Sequence, residues 1–397
     1  MTSNRGGMLL AILGLCAAAL GGCADVRGRP GHMRTNPMTA RESARKVLYD
    51  ASTSPDGQVR AHALESLAAT EGQAAGPVLL AALDDPAIAV RFVAAMGVGD
   101  IAYTPAGETL RRMAKGQIDK NVLAGVIYAL HRLGDDTLAP LLGKLLYDSS
   151  PEVRANAALA MGKFDSNAAI HPLSSRLDVE RNRGVRLQIA ESLARLGDPQ
   201  SHGLLMDFSH IGEPHERMAA VAALGRTGSQ RARGVIFWAI DATKPPPLRL
   251  VAGGALGHFG DNRAYWTIIG AVEDPTAFSQ QSYDDPVTLS DEQKQQIQSI
   301  AALELANLNE PAAVDVLVGL LGSPNPTVAV SAARSILMLL PSEPAVTEAA
   351  PSDAAAADDG DVVDAPVAEA PADAPAATQP SPDEALAPAM RTAPMRD

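Results

Sequence analysis

The chain has 397 residues, of which 46% are hydrophobic and only 4% aromatic, and its formal net charge is −13. Most of this charge lies in residues 341–397, which hold twelve acidic residues and two arginines, so the preceding part is close to neutral. Without a basic stripe the chain is not expected to bind nucleic acid, and with so few aromatic side chains it cannot build one large globular core.

The first 22 residues are predicted to be a signal peptide. Arg5 precedes an apolar run from Met8 to Leu20 that is too short to span a bilayer. The run ends in Leu20-Gly21-Gly22-Cys23, which resembles the lipobox of bacterial lipoproteins. That resemblance implies that Cys23 becomes the first residue of the mature chain and carries its acyl chains. The alternatives are an ordinary cleaved signal peptide and a cytoplasmic protein with an apolar start.

The mature chain would have no unmodified thiol, because Cys16 lies inside the apolar run. This excludes a disulfide framework, a cysteine nucleophile and a thiolate metal site. Residues 23–38 show no helical periodicity and are predicted to form a tether. A lipid on Cys23 would hold the protein on a membrane facing the periplasm, and Ala24 resembles the sorting pattern for the outer membrane.

The central part of the chain repeats one short sequence motif every 31 or 32 residues. One position of each copy, here called the arginine slot, is occupied by arginine in six units: Arg60, Arg91, Arg154, Arg186, Arg217 and Arg249. The same position holds Leu123 in the third unit, Gln298 in the eighth and Ala329 in the ninth. Such self-similarity is typical of solenoids, in which each unit buries its apolar face against its neighbours.

Each unit is predicted to be a pair of helices. Apolar residues follow the arginine slot at spacings of three and four, as in the stripe Val185, Ile189, Leu193 and Leu196. This second helix should stop at a left-handed glycine, at Gly134, Gly197 and Gly260. A shorter apolar segment before each slot supplies the first helix.

The motif Pro-x-Val-Arg, followed by an Ala-rich helix and Gly-Asp, resembles the short HEAT repeats of phycobilisome-lyase-type proteins. The resemblance covers residues 39–340 and implies an all-α, right-handed α-solenoid of about nine HEAT-like repeats. A stack of nine layers at 8–10 Å per layer would be roughly 80–90 Å long. Departures at Glu216, Leu123, Gln298 and Ala329 suggest an array that weakens or caps towards its end.

An insertion is predicted over residues 272–291, because the step from Arg249 to Gln298 is 49 residues. It is interpreted as a surface excursion or, alternatively, as a partner-recognition loop anchored by Phe278 and Tyr283. Residues 341–397 are rich in Ala, Pro, Asp and Glu and are predicted to be disordered. This acidic tail is either a spacer or a ligand.

The slot arginines allow two interpretations. In one they bind loop carbonyls and neighbouring acids. In the other they form a positive line that binds an anionic polymer, a lipid headgroup or an acidic peptide of a partner, with Arg154, Arg186, Arg217 and Arg249 as its members. The near-neutral body favours the first. The closest histidines, His202, His210 and His215, could converge on a metal ion, but their spacing does not require it, so no metal site is expected.

No motif of a catalytic or cofactor-binding site occurs in the mature chain, so we expect no catalytic residue and no cofactor. The sequence therefore favours a membrane-anchored envelope lipoprotein that acts as a non-catalytic scaffold for a protein partner. A lyase-like enzyme or enzyme accessory, implied by the family resemblance, and a binder of an anionic cell-envelope polymer are the alternatives.

Overall fold

A computed structural model describes residues 32–164, 166–279 and 288–341. Within these ranges the regular structure consists of nineteen α-helices and four short 3₁₀ turns, without β-strands. None of the helices described is both long enough and apolar enough to cross a membrane. The predicted all-α fold class is confirmed.

The helices pair into nine units, each with a first and a second helix. In chain order the pairs are α1 (Pro37–Ala51) and α2 (Gly57–Glu71), α3 (Gly76–Ala82) and α4 (Ile88–Asp100), α5 (Gly107–Lys115) and α6 (Lys120–Arg132), α7 (Ala139–Leu145) and α8 (Pro151–Gly162), α9 (Ile170–Val179) and α10 (Arg183–Arg195), α11 (Ser201–Ile211) and α12 (Pro214–Arg226), α13 (Gln230–Ala239) and α14 (Pro246–Gly257), α15 (Tyr265–Glu273) with a short α16 (Pro275–Ser279) and α17 (Asp291–Asn307), and α18 (Val314–Leu320) and α19 (Pro326–Leu339).

Local sequence accounts for the helix boundaries. Side-chain oxygens cap several second helices, as where Asn182 accepts a hydrogen bond from the Val185 N–H at 3.1 Å. The predicted stops are confirmed, since Gly134, Gly197 and Gly260 have φ values of 84°, 81° and 68°. Glycine adopts this left-handed conformation without a steric penalty, which explains its place after each helix.

The second helices form an inner layer and the first helices an outer one. Each second helix packs against the second helix of the next unit, from α2 through to α19, while the outer helices pack mainly on the inner ones. Leu193 on α10, 1% exposed, belongs to the core between the layers. Two stacked helical layers are the arrangement of a HEAT-type solenoid.

The array closes on itself. The last helix, α19, packs against both α1 and α2, and ten of its 14 residues are buried. Arg41 of α1 donates a hydrogen bond to the Leu340 carbonyl, and Arg334 lies 3.4 Å from Glu65 of α2. The prediction of a stack roughly 80–90 Å long that weakens or is capped at its end is therefore wrong. The apolar faces of the first and last units are buried against each other.

Glycines on the inner helices explain the tight curvature. Eight positions after the slot, several units carry glycine where the next inner helix approaches; a Cβ on Gly162 would lie 2.5 Å from the Ser192 Cβ, and one on Gly225 would lie 2.7 Å from the Ala255 Cβ. The same position in the second unit, Gly99, lies against Tyr128. Because these contacts bring the inner helices closer than the outer ones, the stack bends until its ends meet.

Two departures from the repeat are compensated by neighbouring groups. Glu216 stands where an apolar residue is expected and is buried, but Arg183 of the preceding unit pairs with it at 2.8 Å. The Arg183 guanidinium holds the pKa of Glu216 below its usual range. Gln298 replaces the slot arginine and donates a hydrogen bond to the Val272 carbonyl at 3.0 Å. Both units therefore keep the regular pairing.

The folded body begins before the predicted boundary at residue 39. The backbone N–H groups of Arg34 and Thr35 donate to the Asp315 carboxylate, and the Thr35 hydroxyl donates to it at 2.7 Å. The last residues assigned to the tether thus lie against the final unit and lead into α1. The predicted signal peptide, most of the predicted tether and the tail after residue 341 lie outside the described residues.

The predicted insertion maps to the eighth unit. Its start forms the end of α15 and the short helix α16, and its last residues lead into α17. Residues 280–287, which include Tyr283, lie outside the described residues. The described part packs against α15 and α17.

Candidate functional site

Most of the slot arginines bind the loop before their own helix. Arg60 donates to the carbonyls of Ser54 and Pro55 at 2.8 and 3.1 Å, and Arg91 to the equivalent pair in the next unit at 2.6 and 3.0 Å. Arg186 reaches the Leu177 and Glu180 carbonyls at 3.2 Å, and Arg217 reaches the Gly212 carbonyl. The same contact recurs because the repeat places each arginine in the first turn of its helix, next to the loop that precedes that helix.

Arg154 adds a buried ion pair to this arrangement. Besides the Asp148 and Ser149 carbonyls, it donates two hydrogen bonds to Glu180, which Arg176 also contacts. Burial acts to raise the pKa of Glu180, but the hydrogen bonds from Arg154 and Arg176 lower it to about 2. These contacts occupy the guanidinium of Arg154 within the fold.

Arg249 differs from the other slot arginines. Its guanidinium lies 4.5 Å from the ring centroid of Phe278 and donates a hydrogen bond to the Phe278 carbonyl at 3.4 Å. Phe278 is half-buried by these contacts and anchors α16 to the seventh unit. The two other predicted site residues, Cys23 and Tyr283, lie outside the described residues.

A second row of basic residues lies nine positions after the slot. It comprises Arg132, Lys163, Arg195 and Arg226, on four consecutive units; we call these four residues the basic row. Each stands at or just after the C-terminal end of an inner helix, and His258 holds the same position in the next unit. Sequence reasoning missed the row, although its spacing of 31, 32 and 31 residues is that of the repeat itself.

The basic row faces the concave inner side of the ring. Lys163 lies 2.6 Å from Asp100, which is two units earlier in the array, and residues two units apart can meet only where the surface curves inwards. Tyr128, from the unit between them, donates its hydroxyl to Asp100 at 2.7 Å. A cleft of about 220 Å³ is lined by Asp100, Tyr128, Arg132, Lys163 and Arg195.

A larger cleft of about 370 Å³ lies between the fifth and sixth units. Its polar lining comes from Glu191, Arg195, Arg226 and Thr227. The surrounding protein removes part of the water around the Arg226 guanidinium and so lowers its pKa, although the side chain still reaches solvent. Loss of water likewise raises the pKa of the Glu191 carboxyl. The cleft therefore combines two guanidinium groups with one carboxylate in a partly desolvated space.

The inner face also carries an acidic residue on α17, Glu304. Loss of bulk water raises its pKa to about 7, against the opposing hydrogen bond from Asn307 and the charge of Arg226. Loss of water also lowers the pKa of His258, with Arg226 adding to the effect. The inner face thus carries both signs of charge, with the basic groups in one continuous arc.

Two of the three histidines considered as metal ligands have other contacts. The His210 ring stacks on Trp238 with centroids 4.3 Å apart, and His202 hydrogen-bonds the Pro199 carbonyl through Nδ1. Among the described residues no group of three or more His, Cys, Asp or Glu side chains is placed to hold a metal ion.

Comparisons with known proteins agree with this architecture. The family described as HEAT repeats matches residues 44–122 and 117–194. A HEAT repeat-containing taxis protein of Halobacterium salinarum is 36% identical over 69 residues, and this stretch is 17% of each chain. The chain therefore spans less than a fifth of that relative's length.

The chain is also similar to solved structures. The complex of CpcE and CpcF of phycocyanin lyase from Nostoc sp. PCC7120 is 20% identical, with a TM-score of 0.35 over 72% of this chain and 98% of that one. Human deoxyhypusine hydroxylase is 17% identical, with a TM-score of 0.32 over 76% of this chain and 97% of that one. The nine helix pairs and the HEAT-repeat match to residues 44–122 and 117–194 identify the fold as an α-solenoid of HEAT-type repeats.

Proposed function

We propose that this protein is an exported lipoprotein whose ring of HEAT-type repeats holds a protein partner on its inner face, without catalysis of its own. The closed ring is the observation that carries the proposal. Because α19 packs against α1 and α2, the inner face is held in one shape and does not flex as an open stack would. A preorganised surface loses less conformational entropy when a partner binds.

The composition of the inner face also supports a binding role. Many of its accessible positions carry polar or charged side chains, including His62 and Glu65 on α2 and the basic row on later units, although Ala69 and Met338 are exposed apolar residues. Such a surface suits recognition by hydrogen bonds and charge, whereas most apolar residues of the repeat are buried between the helices. Solenoids commonly bind along their concave surface.

Photo-crosslinking in the native host tests the inner face. A photoreactive residue at Ala69, which is exposed on the inner helix α2, should capture a defined partner; the same residue at Arg231, exposed on the outer helix α13, is the control. Adducts formed equally at both positions, or at Arg231 alone, would contradict binding on the inner face.

Membrane attachment is proposed to depend on Cys23. Changing Cys23→Ser should move the protein out of the membrane fraction and abolish labelling by a fatty-acid probe, because the thioether-linked chain is lost. Cys16→Ser is a matched control that removes the other sulfur and should leave both properties unchanged. Persistent labelling of the Cys23→Ser variant would refute the lipoprotein assignment.

A further inference from the structure

The basic row is not required by the fold. Basic residues near helix C-termini complement the helix dipole, which gives each of them an ordinary structural role. Yet the equivalent positions of other units hold Ala69, Asp100, Asn307 and Met338, and those inner helices form equally well. At this position of the repeat, positive charge is therefore confined to one arc of consecutive units.

Two members of the row keep their hydrogen-bonding capacity. The guanidinium groups of Arg195 and Arg226 make no hydrogen bond or ion pair with any residue in the three described ranges, whereas Arg60 and Arg154 are fully engaged. Each guanidinium offers five N–H donors in a planar fork that matches a carboxylate. The two forks border the cleft of about 370 Å³.

The charge pattern selects a class of ligand. A flat bilayer surface cannot reach groups on a concave ring, and a densely charged polyanion would meet repulsion from Asp100, Glu191 and Glu304 on the same face. An extended peptide fits better. Its backbone N–H groups can donate to Glu191 while its own carboxylates accept from the arginines.

The repeat sets the spacing of that peptide's charges. Equivalent positions on adjacent inner helices are about 8–10 Å apart, and an extended peptide in the polyproline II conformation has three residues per turn with a rise of about 3.1 Å per residue, so every third side chain lies on the same face about 9 Å from the last. Carboxylates on every third residue would therefore meet successive members of the basic row. We infer that the partner presents an acidic segment of this spacing to Arg195 and Arg226. This inference rests on the proposed function, because it names the chemistry of the partner on the inner face.

Fluorescence anisotropy with the full chain tests the inference. The probe is a fluorescein-labelled peptide of four Glu-Gly-Ser units; the comparison peptides have the same composition with the glutamates contiguous, or glutamine in place of glutamate. The spaced peptide should bind most tightly, and the glutamine peptide should not bind. The double change Arg195→Gln/Arg226→Gln should weaken binding about tenfold or more, since each charged hydrogen bond is worth about 1.4 kcal/mol or more.

The matched control is Arg181→Gln/Arg231→Gln, which removes the same charge from two exposed arginines away from the inner face and should leave binding unchanged. Circular dichroism should show the same unfolding transition for both double variants. Wild-type binding by the Arg195/Arg226 variant, or equal binding of the contiguous peptide, overturns the inference. If Ala69 crosslinking then persists, the proposed function stands and only the acidic-segment inference falls.

Discussion

The closure of the ring makes the first and last units depend on each other. Ile336 on α19 is fully buried, and Ile336→Ala removes three carbon atoms from the core. At about 0.8 kcal/mol for each buried methylene the transfer contribution is roughly 2.4 kcal/mol, and the cavity raises the loss to about 3–4 kcal/mol. This is a large fraction of the stability of a typical domain.

The position of the damage tests the closure. Hydrogen exchange monitored by mass spectrometry should show faster exchange in α1 and α2 as well as in α17 and α18, because α19 packs against helices from both ends of the chain. In an open solenoid the effect would reach only α17 and α18, since repeats there contact sequence neighbours alone.

Leu193→Ala provides the matched control. Leu193 is 1% exposed on α10, so the change creates a cavity of similar size elsewhere in the ring. Its loss of stability should also be about 2–5 kcal/mol, but the faster exchange should centre on the neighbouring units. If Ile336→Ala leaves protection in α1 unchanged while α18 loses it, the reasoning about closure is refuted.

Three further predictions concern the inner helices and their charges. Gly162→Ala should lower the melting temperature, because its Cβ would clash with the next inner helix, whereas Gly234→Ala, with open space around it, should stabilise by up to about 1 kcal/mol. The lowered pKa of Glu180 means that its contribution is present above about pH 4.5 and is lost as pH falls towards 2, so thermal denaturation of Glu180→Gln, which leaves Arg154 without its partner, should show a loss of about 3–5 kcal/mol at pH 7 that shrinks in acid. The pKa of Glu304 is raised, so the native state loses stability as pH rises through about 7; Glu304→Gln should raise the melting temperature at pH 8 and change it little at pH 5, and an equal shift at both values would contradict this.

Local patterns in the sequence determined the repeat and its elements. The spacing of the arginine slot gave the unit length, and the apolar stripe after each slot gave the inner helix. The stops at Gly134, Gly197 and Gly260 followed from the backbone preference of a single residue type. These features depend on interactions within one unit or with its sequence neighbour, so the order of residues is enough to find them.

The roles of the charged residues could not be predicted from local sequence patterns. Slot arginines such as Arg154 recur in six of the nine units, but they bind carbonyls of their own loops. The basic row recurs with the same period, yet its importance depends on which side of the helix faces inwards. Which side of the helix faces inwards depends on the direction in which the array of repeats bends. In this structure the bend brings Lys163 to Asp100 across the unit between them.

Closure itself was decided only by the tertiary structure. The bend at each contact is small and depends on how closely pairs such as Gly162 and Ser192 approach. Nine such bends accumulate around the array, so a minor change at each contact separates an open stack from a ring. The sequence by itself determined the repeating helix pairs, whereas the summed packing geometry decided that α19 meets α1 and that the basic row lines an enclosed face.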